Sequence, residues 1–296
     1  MAKIYCEVRS GLGNQLFQFA FGYALAREFN RELILCPTFF DSGLKYTLKK
    51  ILGREVRSFR LRKIIKEPFN LISEHEIKEK LAGNAIRVLS ESEVNGQDIR
   101  RIIARHNEDI YLKGYWQQPT LFSKIHQSLV NMIGPSFKLS SVCQKMLDRI
   151  DENFVGIHVR RGDFLTNRSF GACTIDYYKA AMRRMSDLIG TPKFVVFTND
   201  KQWVNNNFED DFSYEVYTNP ANTNTDVEEL YLMTKFKHFI IANSTFSWWG
   251  AYLNATPDKF ITAPANWFIK SELQNNVNHF NSKDWTVIDN RLELKN

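Results

Sequence analysis

From residue 154 to residue 262 the chain repeats one pattern: a short apolar run, a polar turn, then a stretch with helical spacing. Strands are expected at 154–159, 193–198, 214–217, 238–242 and 259–262. Helices are expected near 176–189, up to 208, over 226–236 and over 246–253. Strands that alternate with helices at this pitch form a parallel, doubly wound sheet, because a parallel crossover needs a helix to return the chain. Few other folds accommodate such an alternation.

The strand ends carry the chemistry. The first runs Phe154-Val155-Gly156-Ile157-His158-Val159 and stops at Arg160-Arg161-Gly162-Asp163. The next meets Asn199-Asp200, and a later one meets Asn243-Ser244-Thr245. In open α/β sheets, ligands sit beyond the carboxyl ends of the strands. Guanidinium groups suit phosphate, since they donate two parallel hydrogen bonds and keep their charge. Arg160 and Arg161 are therefore read as gripping a diphosphate. The bland readings stand beside this one: a solvated or ion-paired arginine pair, a core histidine at His158, and Asn199-Asp200 as a helix cap.

The first half opens similarly. A strand at 4–8 runs into Arg9-Ser10-Gly11-Leu12-Gly13-Asn14-Gln15 and then a helix over 16–29, with one buried face through Leu16, Phe19, Ala20, Tyr23, Ala24 and Leu25. Strand, Gly-x-Gly turn and helix open a mononucleotide-binding unit. Position 16 is Leu, so the dinucleotide fingerprint is incomplete, and no Walker A follows. Asn14 is either the helix cap or a ligand contact. A second strand spans 33–36. Helices are expected over 46–52, 59–65, 74–81, 121–133 and 141–150, and strands over 86–89, 110–113 and 285–288. The strand at 110–113 leads into Gly114-Tyr115-Trp116-Gln117-Gln118-Pro119, where aromatic and amide groups can hold a sugar ring or pack the core. The expected domains are 1–145 and 146–296, two Rossmann-like doubly wound domains facing across a cleft.

Composition narrows the function. Nine basic residues and a single acid lie between Lys45 and Lys66, a larger local excess than the net +6 of the whole chain. Such a block favours an anionic partner or is a solvated face. Its aromatics do not interleave as in a nucleic-acid module, so no nucleic-acid partner is expected. The four cysteines show no Cys-x-x-Cys and read as reduced thiols of a cytoplasmic protein. No apolar run approaches membrane-spanning length, and the amino terminus does not read as a signal peptide. Among fifteen aspartates there is no Asp-x-Asp, the pair with which many enzymes hold a nucleotide diphosphate through a metal.

Three segments carry a family resemblance: Gly11-Leu12-Gly13-Asn14-Gln15-Leu16-Phe17-Gln18, His158-Val159-Arg160-Arg161-Gly162-Asp163, and Ile240-Ile241-Ala242-Asn243-Ser244-Thr245-Phe246-Ser247-Trp248-Trp249-Gly250. The chain resembles the bacterial α-1,2-fucosyltransferases, within the wider group of GDP-fucose-dependent fucosyltransferases. The resemblance implies a GT-B arrangement, an amino-terminal acceptor domain, a carboxyl-terminal GDP-sugar domain, inversion at the fucose anomeric carbon and no metal. It puts Arg160 and Arg161 on the β-phosphate, His158 near the nucleotide, and Gly13 and Asn14 toward the phosphates and reacting sugar. Glu229 matches a guanine-reading acid that is an aspartate in related enzymes, so its reach differs. Ser244, Thr245 and Phe246 fall at the nucleotide edge, the last two beside base or ribose. Asp163 orients an arginine and is also a candidate general base. Trp248 and Trp249 are read as packing. The expected partners are GDP-fucose and a galactose-containing oligosaccharide acceptor. An extension of this reading has the basic block facing a lipid-linked acceptor in peripheral contact with the membrane.

Overall fold

The computed structural model describes residues 1–37, 40, 48, 51, 57–208, 212–219, 224–275 and 280–294. Of the helix expected over 46–52 only Leu48 and Ile51 are in this set, both helical; the rest lies outside it, as do Lys45, Lys49, Lys50 and Arg54 of the basic block. Two compact units result, Met1–Ser136 and Phe137–Asn296.

The first unit contains β1 (Lys3–Val8), α1 (Leu12–Glu28), β2 (Glu32–Pro37), α2 (Leu61–Ile64), β3 (Asn70–Leu71), α3 (Glu74–Ala82), β4 (Arg87–Ser90), α4 (Gly96–Arg105), β5 (Ile110–Lys113) and α5 (His126–Met132). Its sheet runs β3-β2-β1-β5-β4, and every pairing is parallel. The strands build outward from β1 to β3, and the chain then crosses back so that β5 lies against β1. The topological switch is thus between β1 and β5, where a parallel sheet opens a crevice at its carboxyl edge.

α1 is buried on more than the single face expected. Phe17 meets Phe122 edge-on at 5.8 Å, Phe19 faces Phe69 at 6.4 Å, and Phe21 lies 4.8 Å from Trp116. The helix is therefore wrapped by side elements as well as by the sheet, which explains apolar residues all round it. It also starts earlier than its apolar spacing suggests. Gly11 is the N-cap in an extended conformation, and Gly13 and Asn14 already belong to the first turn. Asn14 is consequently not the cap. α4 was not expected; Asn95 caps it, its side chain accepting from the backbone N–H of Gln97 and Asp98, and Ile99 and Ile103 are buried one turn apart.

The second unit contains α6 (Ser141–Leu147), β6 (Phe154–Val159), α7 (Asp163–Thr166), β7 (Ala172–Cys173), α8 (Ile175–Ile189), β8 (Lys193–Thr198), α9 (Lys201–Asn207), β9 (Tyr214–Val216), α10 (Thr225–Met233), β10 (His238–Ile240), α11 (Thr245–Tyr252), β11 (Ile261–Pro264), α12 (Ser271–Asn275), β12 (Thr286–Ile288) and β13 (Leu292–Glu293). The main sheet, β12-β11-β10-β6-β8-β9, is parallel throughout. Its switch lies between β6 and β10. β13 and β7 form a separate antiparallel pair.

α8 shows why the alternation was readable. Tyr177, Tyr178, Ala181, Met182 and Met185 recur at helical spacing, and all are buried with Val155, Ile157, Val196 and Ile240. Each large side chain so removed from water contributes about 1.5–3 kcal/mol before entropy is counted. The Tyr177 hydroxyl does not spoil this core, because it donates to the Ile241 carbonyl at 2.6 Å.

The break between units falls between Ser136 and Phe137 rather than after residue 145. One buried carboxylate joins the segment just after this break to the second unit. Glu228 on α10 accepts from Ser140 N–H at 2.6 Å, from Ser140 Oγ at 2.8 Å and from Asn219 Nδ2 at 2.6 Å. Ser140 caps α6, so these bonds tie that helix to the second unit. All four cysteines are free and buried. Among the described residues, no helix is long and apolar enough to cross a membrane.

Candidate active site

In the second unit the switch edge is charged. β6 ends at Val159, and the next two side chains diverge, as successive residues in extended backbone do. Arg160 turns toward Asp163, with Nη2 2.7 Å from Oδ1, and lies over the Phe164 ring at 5.5 Å. Arg161 turns the other way and is 7% exposed. Its Nε is 3.4 Å from Asp200 Oδ2, its Nη1 donates to Glu293, and its guanidinium stacks on Trp203 at 4.0 Å. The two forks thus occupy different surroundings: Arg160 is half-buried and paired with Asp163, and Arg161 is sealed between Asp200 and Glu293.

The turn that makes this possible needs a glycine. Gly162 has φ +37° and ψ −110°, and a Cβ there would lie 2.5 Å from Asn199 Nδ2. The Asn199 amide is itself engaged, its Oδ1 accepting from Arg161 N–H at 3.0 Å. Asp200 caps α9 by accepting from Trp203 N–H at 3.1 Å, as the capping reading expects, and it also pairs with Arg161.

His158 lies in the strand just before the turn, is 5% exposed, and meets the Phe246 ring at 5.6 Å. Burial, with the Arg160 charge added, depresses its pKa to about 3, so the imidazole is neutral across the physiological range. Its Nδ1 is buried without a hydrogen-bond partner among the described residues. Glu229 is half-buried on α10. Burial and the neighbouring Asp226 carboxylate push it up to about 8, against the pull of Arg160. Across the switch, Asn243 is buried and donates to the carbonyls of Gly171 and Trp267, both at 3.1 Å. Ser244 is buried and caps α11, accepting from Phe246 N–H, while Thr245 and Phe246 are half-exposed. The second unit therefore gathers His158, Arg160, Arg161, Asp163, Glu229, Ser244, Thr245 and Phe246 at one edge. Trp248 and Trp249 are buried, and the Trp248 indole donates to the Phe280 carbonyl at 2.8 Å.

In the first unit the switch edge is largely amide and aromatic. Ser10 adopts φ +71° and turns the chain into α1. Asn14 Nδ2 donates to Ser10 Oγ at 3.0 Å, and Asn14 Oδ1 accepts from Gln117 Nε2 at 2.7 Å. Gln15 is fully buried; it donates to the carbonyls of Ser10 and Ser58 and accepts from Arg60 N–H, each at 2.9 Å. Gln18 links Arg9 N–H to the Gly114 carbonyl, again at 2.9 Å in both bonds. These amides weld the ends of β1 and β5 together. Arg9 lies over the Tyr115 ring at 4.7 Å and is 3.4 Å from Glu7, whose carboxyl burial pushes up. Trp116 is buried, so it packs the core; Glu91 accepts from its N–H and from that of Tyr115.

Sequence reasoning placed Gly13 and Asn14 in this unit and the other site residues in the second, and the two groups belong to separate edges. It missed Trp203 and Glu293, which hold Arg161, and Asp226, which sits by Glu229. Glu293 is 132 residues from Arg161, and no local pattern links them. Among the described residues, no group of three or more His, Cys, Asp or Glu side chains is disposed to hold a metal ion.

A parallel, doubly wound sheet with arginines at its switch point defines an anion-binding α/β protein. Comparison with known proteins is more specific. The chain belongs to glycosyl transferase family 11, whose pattern matches residues 2–289. It is similar to the O-antigen biosynthesis glycosyltransferase WbnK of Escherichia coli, 28% identical over 90% of this chain and 95% of that one. It is also 29% identical to an alpha-1,2-colitosyltransferase of Escherichia coli, over 92% and 95% of the two chains. The galactoside alpha-(1,2)-fucosyltransferase 1 of Rattus norvegicus is 25% identical over 56% of this chain and 48% of its own. The crystal structure of POFUT1 in complex with GDP-fucose shares the fold, with a TM-score of 0.50, 13% identity, and coverage of 88% of this chain and 97% of that one.

Proposed function

We propose that this glycosyltransferase moves L-fucose from GDP-fucose to the 2-hydroxyl of a galactoside in surface glycan synthesis, with inversion and without a metal ion. The observation that carries the reading is the Arg160–Asp163 turn at the switch of the second unit's sheet, in a chain 92% of which aligns with an alpha-1,2-colitosyltransferase. The acceptor oxygen bonds to the anomeric carbon as the bond from that carbon to the β-phosphate oxygen breaks. The electron pair leaves with GDP, and the Arg160 guanidinium, with no proton to lose, steadies the growing negative charge.

Glu229 is proposed to read the guanine edge. A carboxylate accepts two donors there, and adenine presents no such pair. Thr245 and Phe246 flank base or ribose, and His158, held neutral, backs Phe246. Asp163 is paired with Arg160, so the hydroxyl proton is proposed to leave late, after an oxocarbenium-like transition state, and to pass to water. Gly13 and Asn14 are proposed to face the reacting sugar. The acceptor is a galactose-containing oligosaccharide, lipid-linked in the fullest form of the proposal. In that form the basic residues between Lys45 and Lys66 meet an anionic membrane surface from the cytoplasmic side.

The test is release of GDP from GDP-fucose against a panel of galactosides with EDTA present, followed by NMR assignment of the product linkage. An α-1,2 product in EDTA supports the proposal. Turnover that EDTA abolishes and a divalent ion restores defeats the metal-free mechanism, and a product of another linkage defeats the regiochemistry. A second reading has one specific support: the full-length relative named for colitosyl transfer. Parallel assays with the GDP-activated colitosyl donor decide it by the ratio of kcat/KM.

A further inference from the structure

The second arginine of the turn is held by a residue that the family pattern does not reach. The match ends at residue 289. Just beyond it, β13 lays Leu292 against Cys173 and Glu293 against Ala172, and Glu293 accepts from the Arg161 guanidinium. This placement is built, not incidental. Asn290 is 5% exposed and interlocks with Asn266: Asn266 N–H donates to its Oδ1 at 2.7 Å, Asn266 Nδ2 to its carbonyl at 2.6 Å, and its own Nδ2 to the Asn266 carbonyl at 3.1 Å. Gly171, at φ +67°, leaves room for the strand, since a Cβ there would lie 3.0 Å from Leu292 Cβ and 3.2 Å from the Glu293 carbonyl. The Gly171 carbonyl is in turn gripped by Asn243 from the opposite side of the switch. The terminal segment, β7, the end of β10 and the arginine turn are therefore one connected structure.

We infer that Glu293 is a positioning residue for donor binding: it fixes Arg161 as an anchor, and the anchored turn presents Arg160 to the diphosphate. This rests on the GDP-sugar reading above and extends it to β13. The charge pattern favours an anchor over a second phosphate fork. Nε faces Asp200, Nη1 faces Glu293 and one guanidinium face is covered by Trp203, so two carboxylates already meet a single cation. A phosphate approaching Arg161 would meet both negative charges. Arg160, one residue earlier, is paired with Asp163 and is more exposed.

The experiment measures GDP affinity by calorimetry, with donor KM and kcat and a thermal melt, for wild type, Glu293→Ala, Glu293→Asp, Arg161→Ala and the double variant Arg161→Ala/Glu293→Ala. Glu293→Ala is expected to weaken GDP about tenfold, to raise donor KM and to change kcat little. Glu293→Asp should recover most of that loss. In the Arg161→Ala background, Glu293→Ala should add no further loss, because the two act as one unit. If Glu293→Ala does not fold, Glu293→Gln, which keeps shape and loses charge, is measured instead and should lie between wild type and the tenfold loss. A folded Glu293→Ala with wild-type GDP affinity overturns the inference, and so does tighter binding, which would make Glu293 a competitor of the phosphate. Wild type that binds no GDP overturns the donor reading itself, and the inference falls with it.

Discussion

The two sheets share a design and differ in what they hold at the switch. At the β1/β5 edge the buried polar groups are chiefly neutral amides, Gln15 and Gln18, and Asn14 is joined to Gln117. At the β6/β10 edge the corresponding work falls to ions: Arg161 between Asp200 and Glu293, and Arg160 on Asp163. An amide bridges two backbones without a desolvated charge, which suits an edge meeting uncharged hydroxyls. A buried guanidinium needs counter-charges, and Arg161 has two of them while the more exposed Arg160 is paired with Asp163. The two edges thus share a topology and differ in their side chains, as the proposed division between acceptor and donor requires.

The sharpest way to break this contrast is Arg160→Ala. It should lower kcat/KM for the donor by roughly 10²–10³-fold, measured by GDP release, while acceptor KM stays near wild type. An equal loss on both substrates would erase the division of labour. Next comes Glu228→Ala, which leaves Ser140 N–H, Ser140 Oγ and the Asn219 amide without their acceptor. About 3 kcal/mol of stability should disappear, read by urea denaturation, with the second unit melting first. Gly162→Ala forces a side chain into a strained backbone and against Asn199, and should cost about 1–3 kcal/mol. Its GDP affinity should fall with it. Asn14→Ala is gentler: acceptor KM should rise about tenfold, with GDP affinity unmoved.

The smallest effect is a pH slope. Glu229 is pushed up to about 8, so folding favours its neutral form and its contribution to stability declines as pH rises from the ordinary carboxyl range to about 8. Guanine donors prefer the carboxylate. GDP binding should therefore tighten and release a proton as pH climbs from 6 toward 8, and Glu229→Gln should flatten that slope. An unchanged slope in the variant removes Glu229 from the base site.

Much of this was written in local pattern. The strands of the second unit and the helices between them follow from apolar runs and helical spacing, and the residues at β6 and β10 mark the edge because turns must follow strands. What could not be read was direction. Arg160 and Arg161 look equivalent as letters, yet one faces Asp163 and the other is sealed by Asp200 and Glu293. Glu228 and Glu229 are neighbours on α10, but the helix sends one into the core and the other to the edge. The start of α1 was misjudged because Gly11 and Gly13 suggested a longer turn than Ser10, alone in the left-handed region, provides. Short strands such as β7 and β13 carry too few residues for any periodicity to show.

The long reach from Arg161 to Glu293 has a consequence during synthesis. Residues 137–289 can collapse around their own sheet as they emerge, yet the anchor of the arginine turn arrives only with the final strand. Contacts of such separation form late, because the intervening loop must close first. Until β13 docks, Arg161 has Asp200 and Trp203 beside it and lacks the second of its two carboxylates.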